Sequence, residues 1–518
     1  MTKDLRIGID VGGTNTDAVV VDADGNVLAS TKAATTLDPF DGIRMALAQV
    51  LEGIDKGRIG QAMLGTTHPA NAVIQRRGLQ RVGALRLAAP ASIGVRPGAA
   101  WPKDLAQTIL GPTQIIRGGN NYDGSEISPL DEDAVRAFAA EASGVVDTIA
   151  LSAPFSPASR DHELRAEQIL FEELGDAVAV SLSHRVGALG LLERENATIL
   201  NASLLDVARG VVSGFKAALA EQALDVESYI TQNDGTLMSE EDAMRLPVLS
   251  LGSGPTNSMR GASSLAGLSD AMVIDVGGTS ADVGILSDGF PRESASAIEV
   301  GGVRTNFRMP DLVSIGLGGG TVVRGSGAGV TVGPDSVGYR VSTDALVRGG
   351  TTLTLSDISV SAGRLAGFGD PALIEDLPQE IVEQAVAWVD NQIAIIVERM
   401  KASKHQLPLI AVGGGSHLVA DRVAGASEVI RPNHHPVANA YGAAISEASG
   451  SIDQVYRYSE GGRDACLEQA RWAAIDAAVS SGADPASVRV TSIIEVPLTY
   501  VPGEACRVQV KAAGPLLR

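Results

Sequence analysis

Asp10, Gly12, Gly13, Thr14, Asn15, Thr16 and Asp17 crowd into the first hairpin-like stretch of the chain, IGIDVGGTNTDAVVVDADGN (7–26). A Gly pair lets a turn bring backbone N–H groups against an anion, and Thr14 and Thr16 add hydroxyl donors beside it. Asp10, at the end of an apolar run, is placed to hold Mg2+ through water, since that hard cation favours carboxylates and phosphates. A hairpin with a glycine turn accounts for one such loop. The same order recurs at 273–289, VIDVGGTSADVGILSDG, where a shift of 265 residues lays Asp10, Gly12, Gly13, Thr14 and Asp17 on Asp275, Gly277, Gly278, Thr279 and Asp282. Two copies point to a duplicated phosphate-binding device, with Asp17 and Asp282 read as caps of each turn.

A third glycine loop, AVGGGSHLVADRVAG (411–425), reads as a strand, then Gly413, Gly414 and Gly415, then a helix. Only glycine lets a flat base or ribose lie against the backbone, so this loop suits adenosine, although a tight strand-to-helix turn has the same pattern. GLGGGTVV (316–323) either lines the same cleft or is a loop. In LGTTHPANAV (64–73), Thr66 and Thr67 precede His68 at a strand-to-helix turn, while His434 and His435 beside Pro436 read as a surface or capping turn.

These loops need elements to hold them. Strands are expected at 5–11, 17–22 and 26–33, followed by a helix with Pro39 in its first turn and Gly53 after its end, and residues 271–300 repeat the strand, loop, strand order. Residues 193–222 read as a long helical connector, 378–400 as a helix, and 407–415 as a buried strand entering a Gly turn. A helix near 464–481 and strands at 488–496 and 505–512 describe a small C-terminal α+β element. The pattern predicts an α/β protein of two facing domains, 1–190 and 191–450, with a ligand cleft between them and the small element at 451–518.

The chain has 518 residues, enough for two or three domains. A net charge of −20 and an aromatic share of 3% argue against nucleic acid or an anionic membrane as partner. Two cysteines without CxxC spacing, no signal-like start and no run of 18 apolar residues lead us to expect a soluble, cytoplasmic protein. No Gly-Lys pair supports a Walker A loop, and neither GxSxG nor HExxH is present.

Paired Gly-Thr loops followed by a Gly-rich loop resemble the actin, hexokinase and Hsp70 ATPase superfamily. Within it the chain resembles the hydantoinase/oxoprolinase family, through GIDVGGTNTD, LGTTHPANAVIQRRG, QNDGTLMSEEDA, SGP (253–255), DVGGTSADVGIL, DLVSIGLGGGTVV, VGPDSVG and VGGGSHL, in family order. It departs from the usual pattern at Asn15, at Leu64 and in SGPTNSM (253–259). The resemblance implies two duplicated actin-like (ribonuclease H-like) ATPase domains facing a nucleotide cleft, with ATP and Mg2+ as cofactors. It implies a catalytic role for Asp10, Asp275, Thr66 and Thr67, metal holding by Asp10 and Asp275, and nucleotide contacts from Gly12 to Thr16, Gly277 to Thr279 and Gly413 to Gly415. The implied reaction is ATP-driven opening of a cyclic amide or imide, in company with a second, separately encoded subunit. A homodimer would bury the same surface. A small-molecule kinase and a regulatory ATPase acting on a partner enzyme are the alternatives.

Overall fold

The computed structural model describes residues 3–34, 39–294, 297–326, 329–401, 405–499 and 504–517. The apolar strand Leu5–Val11 is buried almost throughout. It pairs antiparallel with Asn15–Val21 and, on its other side, parallel with Ile59–Thr66. Ala271–Val276 repeats this, antiparallel to Ala281–Ser287 and parallel to Leu409–Val412. The register repeats as well, with Asp10 opposite Asp17 in the first hairpin and Asp275 opposite Asp282 in the second. The expected duplicated α/β unit is therefore present down to single cross-strand pairs.

Each sheet is covered by helices whose apolar positions recur every three or four residues. Ile43, Ala46, Leu47 and Val50 of helix Pro39–Val50, with Val211, Val212, Phe215 and Leu219 of helix Leu205–Glu221, bury against the first sheet. Val382, Ala385, Val389, Ile393 and Ile396 of helix Gln379–Met400 do so against the second. Each large aliphatic buried this way contributes about 1.5–3 kcal/mol.

Between the sheets lie helices Ser253–Ala266 and Ala438–Ile445. They cross at backbone contact: a Cβ on Gly261 would overlap the Ala438 carbonyl, and one on Gly442 would overlap the Asn257 carbonyl. Gly8 gives the first strand the same close approach to Ala440. This crossing carries Asn257, Ser258 and Asn439 to the ends of the two aspartate strands.

Several expectations are corrected. Residues 193–222 form two helices, Leu191–Ser203 and Leu205–Glu221. The break at Leu204 arises because the Ala202 and Ser203 carbonyls accept from Thr148 Oγ1 and the Gln80 N–H instead of from the next helical turn. No α-helix follows the three glycines at 413–415. The Gly415 N–H is tied to the Val276 carbonyl and only a short 3-10 turn, Ser416–Leu418, forms.

The sheets also cut across the divisions at 190 and 450. A separate parallel sheet of Val82–Ala89, Leu110–Arg117, Thr148–Ser152 and Ala179–Leu182 sits inside the first segment. Glu227–Thr231, Leu237–Ser239 and all three C-terminal strands, Ala448–Arg457, Arg489–Pro497 and Ala505–Gly514, extend the first sheet to nine strands. The 451–518 element is thus an extension of that sheet, covered by helix Arg463–Ser480. No helix among the described residues is long and apolar enough to cross a membrane.

Candidate active site between the two glycine loops

The two hairpin turns share one closure, Gly12 N–H to Asn15 O at 3.0 Å and Gly277 N–H to Ser280 O at 2.9 Å. They meet each other, since a Cβ on Gly278 would lie 2.9 Å from Thr14 Oγ1. Beneath them is a cavity of about 230 Å³ lined by Asp10, Asp17, Asp275 and Asp282, with Lys32 as its one basic side chain among the described residues. Gly12, Gly13, Thr14, Asn15, Thr67, Gly277, Gly278, Thr279, Gly413 and Gly414 complete most of its wall. At Gly13 and Gly414 nothing stands within 4 Å of where a Cβ would sit, so both backbones are open to a ligand.

Asp10 is almost fully buried, with Oδ1 accepting from Asn257 Nδ2 at 2.9 Å and Oδ2 from Asn439 Nδ2 at 3.1 Å. Burial pushes its carboxyl up to about 6 against the pull of the Asn257 bond, and repulsion from Asp17 and Asp275 adds to the rise. Burial also raises Asp275, whose Oδ2 accepts from Ser258 Oγ, and takes Asp282, bonded by Ser314, to about 6. Asp17 differs: it is bound by Lys32 Nζ at 2.6 Å and Asn439 Nδ2 at 2.8 Å. The cavity holds more negative charge than its own residues neutralise. Four hard oxygen-donor groups in one enclosed space fit a divalent cation bound with an anionic ligand. Among the described residues no three His, Cys, Asp or Glu side chains converge closely enough to hold an ion by themselves. A cation here would therefore complete its shell with water and ligand oxygens.

Of the residues singled out in the sequence, Thr16, Thr66 and Gly415 are not on the cavity wall. Thr16 is fully buried, and its Oγ1 has no hydrogen-bond partner among the described residues. Thr66 Oγ1 accepts the His68 N–H at 3.1 Å, which positions the start of helix His68–Gln75. The 316–320 glycines lie behind the second loop: the Gly319 and Gly320 N–H groups donate to Gly277 and Gly278 carbonyls at 3.0 and 2.7 Å. His435 Nδ1 meets Ser416 Oγ at 3.1 Å, and its carbonyl accepts the Gly413 N–H, a capping role.

Sequence reasoning missed Asn257, Ser258, Asn439 and Lys32. The signal for the first three was the glycine in each of their helices, Gly261 and Gly442, which marks a helix crossing without naming what it carries.

The hydantoinase/oxoprolinase N-terminal region model matches residues 6–174, and the hydantoinase/oxoprolinase model matches 194–369. Caprolactamase subunit alpha of Pseudomonas jessenii is 28% identical over 77% of this chain and 60% of its own length. The acetone carboxylase beta subunit of Xanthobacter autotrophicus is 27% identical over 69% of this chain and 54% of its own. The chain thus spans little more than half the length of these relatives. The crystal structure of the ATP-dependent caprolactamase from Pseudomonas jessenii superposes with a TM-score of 0.79 over 99% of this chain and 88% of that one, at 21% identity, which shows the shared fold. With both family models in order across most of the sequence and the paired loops closing on one cavity, the chain belongs to the hydantoinase/oxoprolinase family.

Proposed function

We propose that this chain is the ATP-using subunit of a hydrolase that opens a cyclic amide or imide, such as a hydantoin, 5-oxoproline or a related lactam, through phosphorylation of the carbonyl oxygen. The observation that carries the reading is the pair of Gly-Thr hairpins, identical in register, meeting over one carboxylate-lined cavity. In this reading the N–H groups and hydroxyls of Gly12 to Thr14 and Gly277 to Thr279 cradle the phosphates. Gly413 and Gly414 flank the adenosine side. Asp10 and Asp275 would hold Mg2+ through water, and the ion when bound would supply positive charge beside the phosphates. Thr67, on the cavity wall, orients the reacting groups. The two lobes are those built on the first and second sheets.

An unstrained amide resists water because its resonance is strong, as the rotation barrier of about 18–20 kcal/mol shows. When the carbonyl oxygen attacks the γ-phosphorus, a new O–P bond forms, the bond from the γ-phosphorus to the bridging oxygen breaks, and ADP leaves. The ring nitrogen gives up its proton, and amide resonance is gone. Water then adds to the carbon, the C–N bond breaks as nitrogen regains a proton, and a second water at the same carbon releases phosphate. Such transfers depend mainly on positioning and electrostatic stabilisation.

A second, separately encoded subunit supplies the rest of the hydrolytic site in this reading. Both sequence relatives carry subunit names, and this chain covers only part of their length. Two free, buried cysteines accord with a cytoplasmic setting. The test is calorimetry with Mg-ATP, followed by assay of ADP, phosphate and ring-opened acid against a panel of lactams and hydantoins, with and without a copurifying partner. Ring-opened acid with stoichiometric phosphate supports the reading. A stable phosphorylated small molecule makes the protein a kinase, phosphate release without ring opening makes it a regulatory ATPase, and no Mg-ATP binding overturns nucleotide use.

A further inference from the structure

The first sheet ends on strand Arg489–Pro497, which pairs with Ala505–Gly514 on one side and, among the described residues, with no strand on the other. A free edge presents a row of unmatched N–H and C=O groups, and natural proteins blunt such edges with charge, bulges or proline. Here the irregularity between Val490 and Ser492 and the proline at 497 close the two ends, and the stretch 492–496 between them stays regular. That stretch is apolar. Ile494 and Val496 are 50% and 42% exposed on one face of the sheet. Their cross-strand neighbours Gln509 and Arg507 are tied inward to Asp453, so the two apolar side chains form the margin of that face. Along the edge, Val490, Ile493 and Arg471 of helix Arg463–Ser480 line a shallow groove. Trp472, one step along that helix and turned further out, is 68% exposed, more than any other large apolar side chain described.

We infer that this edge pairs with the same edge of a second copy, antiparallel about a twofold axis at Ile494, to give a homodimer with one continuous sheet. The strand is self-complementary in that register. Ile494 meets its own copy and Val496 meets Ser492 of the other chain. On the helix side Glu495 of one copy stands opposite Ile493 of the other, and Ile493 shares its groove with Arg471. Each Glu495 therefore faces an arginine across the seam. Within one chain Glu495 is paired with Arg463, and Arg471 with Glu468. The seam joins these pairs into a row of alternating charge, Arg463 and Glu495 followed by the second copy's Arg471 and Glu468, and the twofold axis makes the row twice. An isologous contact closes on itself, so the exposed edge leads to a dimer and not to a fibre. Such a dimer forms with or without nucleotide, so its failure and that of the phosphorylation reading are separate results.

The test uses the purified full-length chain, with light scattering on a size-exclusion column and native mass measurement. Twice the 53.2 kDa of one chain is expected. Ile494→Lys combined with Val496→Lys should halve that mass, whereas Ile395→Lys, at a comparably exposed apolar position on helix Gln379–Met400, should leave it unchanged. Ile494→Cys should form a covalent dimer under mild oxidation, because opposed residues of antiparallel strands lie about 4.5–5.5 Å apart at Cα, within reach of a disulfide. Arg489→Cys, away from the axis, should not, and the native Cys466 and Cys506 are buried. Circular dichroism shows whether the double lysine variant is folded, and if it is not, the cysteine pair decides. A chain that stays monomeric overturns the inference and leaves the edge to a different partner. A dimer that survives the folded double lysine variant, or an Ile494→Cys protein that does not cross-link, overturns it as well.

Discussion

Replacing Asp10 by Asn should change how stability depends on pH as well as abolish turnover. Burial raises the Asp10 carboxyl from its ordinary 3.8 to about 6. A group whose folded value is raised contributes stability that is fully present below the unfolded value and is lost as pH rises through the folded one. For Asp10 that window runs from about pH 4 to just above pH 6, and its full height is about 3 kcal/mol. Above the window the protein holds an ionised carboxylate in a place that favours the proton, with Asn257 and Asn439 its side-chain donors among the described residues. Asn at position 10 does not titrate, so the variant lacks this loss. The measurement is urea unfolding at half-unit pH steps from 4.5 to 7.5 for both proteins. Subtracting wild type from variant cancels the titrating groups that do not interact with Asp10. The difference should move in the variant's favour by about 2–3 kcal/mol across the series, while phosphate release is lost. A difference that stays flat with pH would refute the reasoning, because Asp10 would then titrate normally and the cavity would carry no excess charge.

Gly413 has φ +85°, and a Cβ there would overlap Asp275 Oδ1. Gly413→Ala should lower stability by about 1–3 kcal/mol and remove nucleotide binding, read by thermal melting and calorimetry. Lys511 is buried with its Nζ 2.7 Å from Asp234, joining the C-terminal strand to the Gln232–Thr236 turn. Lys511→Met strands that carboxylate and should cost about 3–5 kcal/mol in chemical unfolding, with much of the loss recovered in the double variant carrying Asp234→Asn. Copurification from the native organism and native mass measurement should show a stable hetero-oligomer. A chain that migrates alone and opens a lactam at full rate removes the need for a second subunit.

Much of the site was legible because its chemistry is local. Asp10 through Thr14 and their copies at 275–279 each form one turn, and a turn declares itself through glycine and short polar residues in a row. The antiparallel partner of each aspartate strand follows within a few residues, so the duplicated hairpins were legible too. The second-sheet strand Leu409–Val412 lies far away in sequence and was found only because it too ends in glycines. Contacts set by helix crossing were not legible. Asn257 and Asn439 reach Asp10 across 247 and 429 residues, and nothing near either one signals a bond to a carboxylate. The extension of the first sheet by the C-terminal strands escaped for the same reason. Alternating apolar residues fix which face a strand buries and leave open which edge it joins. The break at Leu204 depended on Gln80 and Thr148 capturing carbonyls of a helix far along the chain.

The central claim is that the carbonyl oxygen of the ring accepts the γ-phosphate, and oxygen tracing tests it most directly. A lactam labelled with 18O at its carbonyl is turned over with Mg-ATP by the chain and its copurifying partner, and the released phosphate is weighed by mass spectrometry. The account requires one 18O atom in each phosphate formed, carried across when the carbon–oxygen bond breaks. Unlabelled phosphate, with all of the 18O retained in the carboxylate of the ring-opened product, would contradict it.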